Sequence, residues 1–131
     1  MKEGDWKTVL SVGAGGMLGA VGRYAVTIVI PANTLFPYAT LLANLVGCFF
    51  LSFIMHLPII KKRLSPAVFV ALTVGLIGGF TTFSTLTIEA ISLWSVVPIL
   101  AIGYIVISII AGLSCCFLGL KLASRLERSS S

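Results

Sequence analysis

Four apolar stretches, at about residues 8–30, 37–57, 66–93 and 96–122, are each long enough to cross a bilayer. A hydrocarbon core about 30 Å thick needs roughly 20 helical residues. Inside it, every backbone N–H and C=O must find a partner within the protein. These requirements predict an all-α membrane protein with four transmembrane helices. Composition agrees: 131 residues, 58% hydrophobic and 10% charged, against roughly 25% charge in a soluble domain. The first stretch lacks a small-residue cleavage site before a polar mature region, so it reads as a retained helix and not a signal peptide. We expect one membrane domain over 1–131. Its connections are a turn marked by Pro31, Asn33 and Pro37 and a basic hairpin, Lys61-Lys62-Arg63, between Pro58 and Pro66; a polar, frayed tail follows the fourth span.

The third stretch carries Gly78-Gly79-Phe80-Thr81-Thr82-Phe83-Ser84-Thr85. Two glycines and four hydroxyl residues in succession are poor helix material. The sequence therefore predicts a helix broken near mid-membrane. A break in lipid frees carbonyls and N–H groups, each costing several kcal/mol unless protein, water or an ion satisfies it. Ion chemistry at that depth is the use we expect for them.

Other polar residues inside the spans need partners too. Arg23 lies late in the first span; it either snorkels to the nearby surface or forms an electropositive entrance for an anion. Asn44, midway along the second, can tie helices together or donate N–H to a desolvated anion. Tyr104 and Ser108, at i and i+4, share a helical face, and with Ser84, Thr85 and Thr87 they suggest a polar track. Glu89 is the one acid in a span and reads as a hydrated vestibule residue, the other reading being a buried proton site. His56, Trp6 and Trp94 read as interfacial. Cys48, Cys115 and Cys116 read as buried free thiols. Glycines 15, 19 and 22 in the first span, and 112 and 119 in the fourth, form small-residue faces for close helix packing and a dimer. No paired carboxylates, second histidine, Cys/His ligand set or phosphate-cradling loop is present, which argues against an enzyme and against nucleic-acid binding.

Together these motifs resemble the Fluc fluoride-channel family, also called the CrcB family of bacterial fluoride exporters. The first helix has Gly15-Gly16-x-x-Gly19-Ala20-x-x-Arg23-Tyr24, the second Thr40-Leu41-x-x-Asn44-x-x-Gly47-x-Phe49, and the third the Gly78–Thr85 run with Glu89. The resemblance implies a passive fluoride exporter in the bacterial cytoplasmic membrane that relieves fluoride toxicity. It implies an antiparallel dimer with two fluoride pores and one central sodium ion (Na+), structural and not transported. The main-chain carbonyls of Gly78 and Thr81 from both subunits would hold that sodium. Asn44 would donate to fluoride, and Phe83 would meet the ion with its ring edge, the positive end of the aromatic quadrupole. Ser84, Thr85, Tyr104 and Ser108 would line the pore, with Arg23 and Glu89 at the vestibule. The family pattern has a second phenylalanine three residues after the first; here that position is Leu86, which has no quadrupole.

Two other readings compete. A small multidrug-resistance-type proton-coupled exporter needs a carboxylate deep in the first helix, and none stands there. A non-conducting partner subunit of a heterodimeric fluoride channel accommodates Leu86. Charge placement bears on the partner. Lys2, Lys7, Lys61, Lys62, Arg63, Lys121, Arg125 and Arg128 all fall on the side of the termini, and the opposite loops carry no lysine or arginine. The positive-inside rule then puts the termini in the cytoplasm, so an antiparallel partner would be an oppositely oriented paralogue and not a second copy of this chain. Cysteine-accessibility mapping of the tail in cells expressing this chain alone should label from the cytoplasmic side only. Equal labelling from both sides would show dual insertion and restore the homodimer.

Overall fold

The computed structural model describes residues 3–30, 34–57, 60 and 63–129. Lys2, the turn at Pro31 and Asn33, and Pro58, Lys61 and Lys62 of the hairpin lie outside the described residues. The described chain is helical: α1 (Glu3–Val29), α2 (Tyr38–Met55), a bent third span, and α5 (Pro98–Ser129). The third span has two arms. Its first arm, α3, covers residues 66–80: a first turn Pro66–Val70, a π-helical stretch Ala71–Ile77, and a closing turn Gly78–Phe80. Its second arm is α4 (Phe83–Val96). Four segments are long and apolar enough to span a membrane: Trp6–Val29, Tyr38–Met55, Pro66–Val96 and Pro98–Arg128. The protein is a multi-pass membrane protein.

Local chemistry starts these helices where it should. Ser65 caps α3 with its hydroxyl accepting from Val68 N at 3.4 Å, and Pro66 follows in the first turn, where its missing N–H is harmless. Pro98 opens α5 in the same way. The tail is not frayed as far as it is described. α5 continues through Ser129, because leucines and basic residues alternate there at helical spacing.

Packing follows two pairings, α1 on α3 and α2 on α5, while α1 and α2 touch little. Glycine is what lets α1 and α3 meet backbone to backbone. A Cβ on Gly79 would stand 2.5 Å from Gly16 O, and one on Gly75 would stand 2.6 Å from Val12 O. Gly15 and Gly19 face Ala71 and Leu76 carbonyls just as closely. On the other pair, a Cβ on Gly119 would stand 2.5 Å from Phe49 O. These glycine faces therefore serve contacts within the chain. The cysteines lie half-buried between α2 and α5 with no disulfide, Cys116 donating weakly to Cys48 O at 3.5 Å.

The well-buried cluster is small: Ala90, Leu93, Ala101 and Tyr104, flanked by Phe36, Leu41, Leu86 and Leu100. Phe36 meets Tyr104 edge to face at 5.4 Å. Elsewhere large apolar side chains face outward, Val29 and Ile99 among them, as they should in a chain whose solvent is lipid.

Gly79→Val should prevent recovery of monodisperse protein, since the new side chain meets Gly16 backbone that cannot yield. Gly13→Ala, with nothing within 4 Å of its new Cβ, should leave the unfolding temperature unchanged or slightly raised. Size-exclusion profiles and thermal unfolding in detergent check both.

Candidate functional site at the helix break

The third span breaks at Thr81–Thr82, three residues beyond the first glycine of the run. Gly78 is helical (φ −63, ψ −35) and no glycine takes a positive φ. The chain turns extended at Thr81 (φ −82, ψ 158) and Thr82 (φ −150, ψ 128), then re-enters helix at Phe83. Gly79 supplies close packing on α1, Gly78 meets nothing within the chain, and the threonines make the turn. Thr81 is still tied to the first arm, its N–H and hydroxyl both donating to Ile77 O at 2.9 and 3.0 Å. Thr82 caps the second arm, its hydroxyl accepting from Thr85 N at 3.2 Å and bonding to Thr85 Oγ1 at 3.0 Å.

Asn44, from α2, bridges the gap. Its Nδ2 donates to Thr82 O at 2.9 Å, and its Oδ1 accepts from Thr82 N at 2.8 Å. The amide thus reads one residue's main chain as a strand partner would, and the backbone donor fixes which side-chain atom is oxygen. One Nδ2 proton remains uncommitted. The same bond takes Thr82 N away from Gly78 O, its acceptor in an unbroken helix. Arg23, half-buried on α1, donates from Nε to Gly79 O through a long bond of 3.4 Å. Its positive charge therefore sits at the negative, C-terminal end of α3, where a cation is favoured. Thr81 is seated on Gly47: any Cβ at position 47 would run into the Thr81 methyl.

An open-sided groove of about 370 Å³ runs past the break, lined by Asn44, Gly47, Thr81, Thr82, Phe83, Leu86 and Ser108 among others. The N-terminal, electropositive end of α4 opens toward it. Phe83 is 81% exposed in the single chain. Ser108 lines the groove while its hydroxyl donates to Tyr104 O at 2.7 Å. The remaining hydroxyls do not join a single file within one chain. Ser84 is exposed, its hydroxyl 3.3 Å from that of Thr82. Thr87 back-bonds to Phe83 O at 2.9 Å and lines a separate apolar hollow with Trp94 and Ala101. Thr85 is half-buried at the cap.

Tyr104 is fully buried and points away from the groove, to Glu89. Its hydroxyl donates to Glu89 Oε2 at 2.8 Å, and Thr40 donates to Oε1 at 2.8 Å. Glu89 is half-buried, with each carboxylate oxygen held by a hydroxyl from a different helix, α2 and α5. Gly78 is exposed, and a Cβ there would meet nothing within 4 Å. Sequence reasoning placed Thr82, Thr40 and Gly47 in the quoted motifs but gave them no role. For Thr82 a signal was there, a hydroxyl residue three before Thr85 at a helix start; Thr40 and Gly47 act on residues 49 and 34 positions away, which no local pattern reports.

A family model described as "CrcB-like protein, Camphor Resistance (CrcB)" matches residues 10–120. The chain is 40% identical over 120 residues to the "Fluoride-specific ion channel FluC" of Chlorobium phaeobacteroides, covering 90% of this chain and 94% of the relative. It is 44% identical over 119 residues to the protein of that name from Chlorobaculum tepidum, covering 89% and 94%. The "Fluoride-specific ion channel FluC 1" of Desulfitobacterium hafniense is 40% identical over 114 residues, covering 86% of this chain and all of the relative.

Gly47→Ala should destabilise the protein through the Thr81 methyl, and Thr81→Ser alone should cost little because the hydroxyl bond to Ile77 O survives. The double variant should recover most of the Gly47→Ala loss, a coupling on the order of 1 kcal/mol. A thermal-unfolding double-mutant cycle reads it; additive losses would place the clash elsewhere.

Proposed function

The chain belongs to the CrcB-like family, and from that premise we propose that it is a fluoride-selective ion channel subunit exporting fluoride passively across the cytoplasmic membrane, its termini on the cytoplasmic side. The observation that carries this reading is the groove at the break, where an uncommitted amide proton of Asn44, the Phe83 ring and the positive end of α4 stand together. Fluoride is small and strongly hydrated, so a narrow path must replace its water with fixed donors. Asn44 is well suited, since its other contacts hold it rigid. Phe83 offers a ring edge that attracts an anion without a full charge to trap it. Export needs no energy input beyond the membrane potential: 100 mV, inside negative, drives a monovalent anion outward by about 2.3 kcal/mol. The relatives of this chain carry the name of an ion channel and not of an enzyme.

The proposed assembly is an antiparallel dimer. Phe83 and Gly78 are exposed in the single chain, and a second subunit over them would close the groove on its open side. The same reading puts a structural sodium at the dimer centre. By the family resemblance, its donors would be the main-chain carbonyls of Gly78 and Thr81. Gly78 O has lost the helical donor Thr82 N to Asn44, and the extended turn at Thr81 carries its carbonyl off the helix ladder. Carbonyl oxygens suit a hard monovalent cation. Two from one chain fill only part of its shell, and two from the partner would complete it. Leu86 lines the groove beside Phe83 and favours a second version of this reading, in which the partner is an oppositely oriented paralogue and one of two pores lacks a ring.

Fluoride efflux from liposomes, with this chain alone and with a co-encoded paralogue added, tests the function. Asn44→Asp, which turns the uncommitted donor into negative charge, and Phe83→Ile should each slow efflux at least tenfold, and Leu86→Phe should not. Gly78→Val should abolish dimerisation while the single chain still folds, since its side chain meets nothing within the subunit. Wild-type efflux in Asn44→Asp and Phe83→Ile with intact dimers would remove both residues from the fluoride path.

A further inference from the structure

α5 is longer than a bilayer requires. Its 32 residues extend about 48 Å at 1.5 Å per residue, against a hydrocarbon core of about 30 Å. With Pro98 at one face of that core, Lys121 stands about 35 Å along the axis, just past the other face. Arg125 and Arg128 lie further out, just outside the headgroups. Spacings of four and three put these cations on one helical face, and all are exposed. They line a hollow of about 550 Å³ together with Ser124, Phe117 and Leu120. Phe117, one turn before Lys121, is 68% exposed and lies on the core side. The Ser124 hydroxyl is occupied by its own helix, donating to Leu120 O at 2.8 Å. Among the described residues no carboxylate lines the hollow, and it shares no lining residue with the groove at the break.

We propose that this hollow binds the headgroup of an anionic phospholipid, the phosphate held among Lys121, Arg125 and Arg128 and an acyl chain lying on Phe117 and Leu120. Complementarity selects the occupant. Three cations above an apolar floor, Lys121 at headgroup depth and the two arginines just outside it, match an amphiphile whose head is negative. A zwitterionic lipid brings its own cation into the same hollow, and a free phosphate leaves the apolar floor wet. Basic residues at a membrane surface act additively on anionic lipid, each by about fivefold in affinity.

Native mass spectrometry of the full chain in detergent, with phosphatidylglycerol and phosphatidylcholine as probes, tests the proposal without any ion-flux readout. The wild-type protein should retain phosphatidylglycerol preferentially, and millimolar inorganic phosphate should not displace it. The triple variant Lys121→Gln, Arg125→Gln, Arg128→Gln should lose the preference by on the order of 100-fold, and Lys7→Gln should keep it. An undiminished preference in the triple variant, displacement by inorganic phosphate, or an equal loss in Lys7→Gln would each overturn the site. Should the triple variant not fold, salt gives a second measure on the wild-type protein. Raising it from about 0.1 to about 1 M shortens the screening length from about 10 to about 3 Å and should abolish the preference; salt-independent retention counts against the proposal.

Discussion

Two hydrogen bonds between one side chain and the main chain of one residue hold this protein in its bent form. Asn44 gives Thr82 N an acceptor in place of the Gly78 carbonyl it would meet in an unbroken helix, and it adds a donor to Thr82 O, the cap carbonyl of α4. In lipid no water stands ready to replace that acceptor, so an apolar residue at position 44 would leave Thr82 N unpaired, at about 1–3 kcal/mol. Everything near the break depends on that junction. It sets where α4 begins, brings Phe83 out beside the groove, and releases Gly78 O from the helical ladder. In the proposed function, binding and architecture meet in one amide.

Charges inside the span are managed by the same economy of polar partners. Arg23 reaches a carbonyl at the end of α3, and Glu89 is held by two hydroxyls. No buried side-chain polar atom among the described residues lacks a partner. An intramembrane charge that finds its partner in another helix does structural work whatever else it does. Here Arg23 ties α1 to the first arm of the third span, and Glu89 ties the second arm to α2 and α5.

The sequence made the four spans legible because hydropathy over 20 residues is a strong, local signal, and the bend in the third was legible from poor helix formers in a row. Its position was not. Gly78 and Gly79 have low helix propensity, but the close seat of Gly79 on the α1 backbone overrides it, so the helix runs through both and yields at Thr81. The spacing of Tyr104 and Ser108 correctly puts both on one face of α5, yet it says nothing of direction. The long tyrosine leans to Glu89 in the core, and the short serine bonds back to its own helix. Glu89 itself could not be assigned from sequence, because Thr40, one of its donors, stands 49 residues away.

The pairing of α1 with α3 and of α2 with α5 makes the subunit two rigid couples joined along a seam. Within each couple, backbones touch through glycine and have no slack. Between them, near the break, Thr81 rests its methyl on the bare face of Gly47. That contact, together with the Asn44 bonds to Thr82, sets how closely α2 approaches the break. A single added methyl at position 47 would therefore push α2 off the broken span while leaving the glycine contacts inside each couple untouched.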